Sequence, residues 1–241
     1  MTRLALLNNE EHRDLRVAVN RSAALGDQVM YGMTYPAEFR DVQCEYPILF
    51  FKNSEEEGTL PVALFGFQRG ENLFLQNDQW HADYVPASIR RQPFLIGAQG
   101  QGDAQKRVIS IDLDHPRVSA VEGERLFEPL GGTSPYLEQM ANLLEHLHAG
   151  FEHAQKYVAA LTELQLLENV SLEIELADGS TNQLFGFQTI DEDRLAGLSA
   201  EQLRELQQQG FLLPTYMALA STPNMGRLVR RKNDLLEGQN G

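Results

Sequence analysis

The stretch SPYLEQMANLLEHLHAGFEHAQKYVAAL, residues 134–161, decides the fold class. Ser134 followed by Pro135 predicts a helix start: a capping hydroxyl, then proline at the first helical position, where its missing N–H leaves nothing unpaired. Apolar residues then recur at Leu137, Met140, Leu144, Leu147, Phe151, Ala154, Val158 and Leu161, with spacings that alternate between three and four. That alternation keeps one stripe on one face of a single long helix. The stripe 137–161 suits two arrangements, the chain's own sheet or the same stripe of a second copy in a homodimer. Internal packing is the preferred reading, because the stripe covers only about four heptads and because Gly150 and Ala154 let a neighbour approach closely.

Outward from the helix, the pattern turns to strands. On the N-terminal side Tyr46–Lys52 (YPILFFK), Leu60–Gln68, Leu73–Gln76, Phe94–Ile96 and Arg107–Leu113 read as strands, with Arg69-Gly70-Glu71-Asn72 as the turn joining the second and third. Pro86 opens a helical turn through Ile89–Arg91, Pro93 stops it, and the Gly-rich stretch 97–106 is a loop. On the C-terminal side Val170–Leu176 and Asn182–Gln188 form a hairpin around Asp178-Gly179. Ser199 with Gln202 is a capping box, Gly210 ends that helix, and helices follow at 215–220 and 225–236. The class is therefore α+β, antiparallel sheets packed by a long central helix. The expected organisation is a β-rich part (1–130) and a helix-rich part with a hairpin (131–236) in one compact unit, then a flexible tail (237–241). The pentapeptide LFGFQ occurs at 64–68 and again at 184–188, which suggests two duplicated strand–hairpin–helix units.

Composition narrows the partners. The net charge of -14 argues against nucleic acid, whose binding draws on Lys and Arg, and against an anionic membrane surface. The basic patch Arg227, Arg230, Arg231 and Lys232 reads as a solvated helix C-terminus complementing the dipole. A single cysteine, Cys44, leaves no intrachain disulfide framework. No apolar run approaches the roughly 20 residues that span a bilayer, and the N-terminal residues carry no secretory core. The expectation is a cytoplasmic protein without membrane insertion; an export route that reads a C-terminal signal lies beyond that test.

Several separate stretches resemble the SapC family of bacterial proteins: YPILF (46–50), PVALFGFQRGENLFL (61–75), WHADYVPASIRRQPFLI (80–96), IDLD (111–114), GERLFEPLGGTSPYL (123–137), LFGFQTIDEDRLAGL (184–198) and a tail around 213–228. The family hallmark falls here on Trp80, Tyr84, Pro86, Ile89, Arg90, Arg91, Pro93 and Phe94. The resemblance implies an association with surface-array genes and with genes for TonB-dependent outer-membrane receptors; it implies no reaction. Neighbouring arginines on one helical turn point about 100° apart, so one can tie down the core while the other faces a partner. Trp80 and Tyr84 offer amphipathic surfaces of the kind that anchor interfaces. The binding residues expected on these grounds are Trp80, Tyr84, Pro86, Arg90 and Arg91, for a protein or peptide partner.

No catalytic residue follows from this reading. There is no G-x-S-x-G and no phosphate-binding loop, and the helix histidines His146, His148 and His153 lack the i, i+4 spacing of a metal pair. The alternative is enzymatic. His81-Ala82-Asp83 with His115 and Arg125 is similar to the two-His, one-carboxylate site and co-substrate arginine of iron/2-oxoglutarate oxygenases, with Fe2+ and 2-oxoglutarate as cofactors. The preferred reading is a non-enzymatic binding or assembly protein that needs no cofactor.

Overall fold

The structure, a computed structural model, describes residues 3–54, 58–99, 106–170, 172–176, 179 and 181–239. The chain begins with strands β1 (Leu4–Leu6), β2 (Arg16–Val17) and β3 (Tyr31–Met33), then helix α1 (Phe39–Glu45) and strands β4 (Ile48–Ser54), β5 (Gly58–Leu64), β6 (Leu75–Gln76) and β7 (Gln79–Trp80). Helix α2 (Ala87–Arg90) leads to β8 (Phe94–Gln99), β9 (Lys106–Asp112), β10 (Val118–Ser119) and β11 (Glu124–Arg125), and then to the long helix α3 (Pro135–Glu163). After it come β12 (Leu167–Asn169), β13 (Leu172–Glu175), β14 (Thr181–Leu184), β15 (Phe187–Ile190) and helices α4 (Glu192–Ala196), α5 (Ala200–Gln208), α6 (Leu212–Ala220) and α7 (Asn224–Gln239). The paired strands are antiparallel, so the α+β class read from the sequence holds.

These elements sort into two compact units whose segments interleave. The first takes Met1–Gln28, Leu75–Trp80 and Ala87–Ala149; the second takes Val29–Phe74, His81–Pro86 and Gly150–Gly241. Each draws on both sides of residue 130.

In the first unit β1, β9 and β8 form a three-stranded sheet in that order. Its inner face carries Phe94 and Ile111, which pair across β8 and β9 and are fully buried with Val17, Leu126, Leu137 and Leu144. Burying a side chain of that size stabilises by about 1.5–3 kcal/mol each, which makes this cluster the main anchor of the unit. Ser134 starts α3 as expected, its Oγ accepting from the Leu137 N–H (3.1 Å) and donating to the Arg125 carbonyl (2.6 Å). Gly131, with φ 93, makes the tight turn that precedes it.

In the second unit the five-stranded sheet runs β12-β15-β4-β5-β3. The later half of α3 packs here through Ala154, Tyr157, Val158 and Leu161, all buried. Tyr157 lies edge-on to Phe39 (6.0 Å) and against Phe211 (5.5 Å). Gly150 earns its place: a Cβ there would stand 3.1 Å from the Tyr35 ring. The apolar stripe is thus buried within the chain itself along the helix, apart from half-buried Met140 and Phe151. Helix α3 closes on Gln165, which holds a left-handed φ of 54 while the Leu166 N–H reaches back to the Leu161 carbonyl (2.8 Å). Glycine is the usual occupant of that position, and a side chain there costs about 1 kcal/mol.

Some expectations need correction. Leu73–Gln76 does not pair with β5; β6 folds onto β7 around Asn77 and Asp78, both left-handed, while β5 lies between β4 and β3. The turn at 69–72 does form, with the Glu71 N–H on the Gln68 carbonyl (3.1 Å). The hairpin of β13 and β14 forms as expected, although Asp178 lies outside the described residues, and Phe187–Gln188 belong to a different sheet. The two LFGFQ copies occupy unlike places. The first ends β5 and runs into a buried loop, whereas the second bends out of β14 at Gly186 (φ 80) and enters β15. Helix α7 extends to Gln239, into the expected tail. The basic patch ends at Lys232, seven residues before the end of α7, so it does not serve the C-terminal dipole. Arg227 donates to the Cys44 carbonyl (3.2 Å), Arg231 lies over the Phe74 ring (4.4 Å) and Lys232 pairs with Glu71 (2.5 Å).

Candidate functional site

The hallmark segment is built by segments of both units, each holding its own part. In the second unit the short run from His81 to Pro86 is pinned by polar contacts. The Tyr84 hydroxyl donates to Glu38 (2.6 Å), the Tyr46 hydroxyl donates to the Tyr84 carbonyl (2.5 Å), and Arg231 donates to the His81 carbonyl (3.1 Å). Pro86 is buried. Tyr46 itself is fully buried against Phe65 and Phe74, so the backbone at Tyr84 is anchored to the core.

In the first unit Trp80 ends the β6–β7 hairpin opposite Leu75 and is half-buried. Pro86 ahead of it lets α2 start at Ala87, and Ala87, Ser88 and Ile89 turn inward. The two arginines then diverge as their spacing dictates. Arg90 is exposed, while Arg91 is half-buried and donates to the Phe94 carbonyl (2.7 Å), bracing the turn that carries the cis Gln92–Pro93 bond. Of the expected binding residues, then, Tyr84 and Pro86 belong to one unit and Trp80, Arg90 and Arg91 to the other.

A core carboxylate, Asp27, holds two arginines from outside the hallmark. Asp27, fully buried, accepts from Arg117 (2.6 Å), from Arg21 (3.2 Å) and from the Ser22 N–H (2.9 Å). Arg117 is 1% exposed and also donates to the carbonyls of Ala18 (2.9 Å) and Asn20 (2.7 Å), which fixes the loop after β2. Burial and the neighbouring Arg117 guanidinium hold the Arg21 pKa below its usual value. Burial pushes the nearby Tyr136 phenol up to about 12, so it stays protonated. Sequence reasoning missed this cluster because its members stand far apart in the chain and form no local motif.

The residues of the oxygenase reading belong to both units. His81 and Asp83 lie in the second unit, where their backbone N–H groups bond the Phe74 carbonyl (2.7 Å) and Glu45 (3.4 Å). His115 lies in the first unit beside the arginine cluster, its Nδ1 accepting from the Arg117 N–H (3.2 Å). Burial, with Arg117 second, lowers its pKa. Arg125 is exposed on β11, paired with Arg16 across the strands. Among the described residues no three or more His, Cys, Asp or Glu side chains come together as a group that could hold a metal ion. Of the helix histidines, His146 and His153 are exposed, His153 stacking on Phe211 (5.2 Å), and His148 is half-buried.

Within the stretches that carry the resemblance, Glu71 closes the LFGFQRGEN loop on the Phe67 N–H and Ser134 caps α3. A family model described as SapC matches residues 7–228. The chain belongs to the SapC family. No curated protein matches it, and no solved structure does. Among the described residues no helix is long and apolar enough to cross a membrane.

Proposed function

We propose that this SapC-family chain is a non-enzymatic binding or assembly protein that engages a protein or peptide partner through the exposed part of its hallmark. One observation carries the reading. Pro86, Ile89 and Phe94 of the hallmark are buried, Tyr84 and Arg91 are half-buried, and Arg90 is exposed at the end of helix α2. An exposed arginine carried on an ordered backbone turn is suited to recognition, because the backbone needs no ordering on binding. Half-buried Trp80 supplies the aromatic surface of the same unit. The partner class comes from the family resemblance: a surface-layer protein or a TonB-dependent receptor system.

Purified surface-layer and receptor proteins encoded by neighbouring genes would be immobilised and binding read by interferometry. Arg90→Ala is expected to weaken binding about tenfold, roughly 1.4 kcal/mol, at unchanged thermal stability. Trp80→Ala should weaken it further. Full binding by both variants would sink the reading.

A further inference from the structure

We propose that the second unit carries a binding cleft for a small neutral polyhydroxylated molecule, a sugar or polyol, at the C-terminal end of α3. A cleft of about 460 Å³ opens there, within the roughly 300–1,000 Å³ range of small-molecule sites. Its walls are Thr59, Gln165, Glu168, Gln188, Asp191 and Arg194, with Thr162 and the lone apolar residue Leu167. The lining includes no hallmark residue, so the inference stands or falls independently of the partner reading.

Three observations point to a ligand. First, Arg194 is held in one place: it donates to the Gln165 Oε1 (2.7 Å), and its Nε lies 3.2 Å from the Asp191 carboxylate. Second, the residue that holds it is Gln165, which keeps a left-handed backbone where glycine would sit without strain. Strain retained under a side chain that orders a cleft is characteristic of a working site. Third, the polar lining matches hydroxyl groups. Glu168 supplies an acceptor, Thr59 a hydroxyl and the two glutamines amides, and each ligand hydroxyl both donates and accepts.

The same inventory decides against an anion. Two carboxylates, Glu168 and Asp191, face one guanidinium, and that guanidinium is already engaged by Asp191. An anion would meet net negative charge. The cleft's carboxylates are not part of any group of three or more metal-ligating side chains among the described residues.

The test is saturation-transfer NMR of the full chain with glucose, galactose, xylose and sorbitol, and with arginine hydrochloride as a cationic control. The expected result is saturable binding of at least one polyhydroxylated probe, weakened tenfold or more by Arg194→Met and by Gln165→Gly. Gln165→Gly should at the same time raise the melting temperature, because it relieves the backbone strain. That combination, more stable and unable to bind, separates a ligand role from a structural one. No binding of any sugar or polyol, binding equal to the parent in both variants, or binding of arginine alone would each overturn the proposal.

Discussion

Each unit contains a long-range tie between a carboxylate and a cation that is at least half-buried, and the two ties differ in what they exclude. In the first unit Asp27 and Arg117 are 0% and 1% exposed as side chains, and Arg21 adds a second guanidinium to the same carboxylate. In the second unit Glu71 and Lys232 keep 16% and 17% of their side-chain surface, and Glu71 also accepts from the Phe67 N–H (2.7 Å). The closed pair has given up its hydration entirely, so all its stability rests on geometry: Asp27 and two backbone carbonyls engage Arg117. The half-open pair keeps water as a partial substitute for either partner. Removing one member should therefore be expensive in the first unit and mild in the second.

The largest expected effect follows directly. Arg117→Met leaves the Asp27 carboxylate to the partly exposed Arg21 and the Ser22 N–H, and releases the carbonyls of Ala18 and Asn20. A loss of about 3–5 kcal/mol is expected, read as a lower urea midpoint at unchanged slope. If Arg21, already 3.2 Å from Asp27, suffices to neutralise it, the loss falls to about 1 kcal/mol, and the contrast between the two ties disappears.

Neither tie was visible in the sequence, and the reason is physical. Asp27 and Arg117 are 90 positions apart, and Glu71 and Lys232 are 161 apart. Periodicity reports the face a residue turns inward; it carries no information about which distant residue meets it. Where a local pattern sufficed, the reading was sound. The stripe from Leu137 to Leu161 is the buried face of α3, the capping box at Ser199 is formed with Gln202, and Gly150 meets Tyr35 at close range. Repetition misled where identity of residues was taken for identity of environment. Gly66 of the first LFGFQ admits no Cβ, which would fall 2.7 Å from the Glu71 carbonyl oxygen, whereas Gly186 of the second serves a left-handed turn. Phe65 is fully buried, and its counterpart Phe185 is 71% exposed. For the candidate site, the hallmark spacing located the segment. Which arginine turned outward depended on Arg91 reaching the Phe94 carbonyl, a contact set by the turn between α2 and β8.

The second unit should show the milder response. Lys232→Met leaves Glu71 with its Phe67 N–H and access to solvent, so a loss of about 1–2 kcal/mol is expected. Salt sharpens the comparison. Raising ionic strength screens a pair that keeps contact with water far more than one sealed from it. The difference between Lys232→Met and the parent should shrink in high salt, whereas the Arg117→Met difference should hold. Equal salt sensitivity of the two variants would mean that the ties are alike after all.

The smallest effect tests the closed cluster through proton binding. His115 sits beside Arg117 and senses Asp112, Asp27 and Arg91 as well; burial and then Arg117 set its pKa below the ordinary 6.5. A folded-state pKa depressed in this way means that the unfolded chain takes up the proton first as pH falls. Stability linked to His115 is complete above about 6.5 and is lost as pH drops from there through the lower folded value. His115→Asn keeps an acceptor for the Arg117 N–H and removes the titration. The parent should lose melting temperature relative to this variant as pH falls below 6.5, and the two should run parallel above it. A difference that stays constant from about pH 8 to about pH 5 would show that His115 titrates alike folded and unfolded, and hence that the seal around Arg117 does not extend to its neighbour.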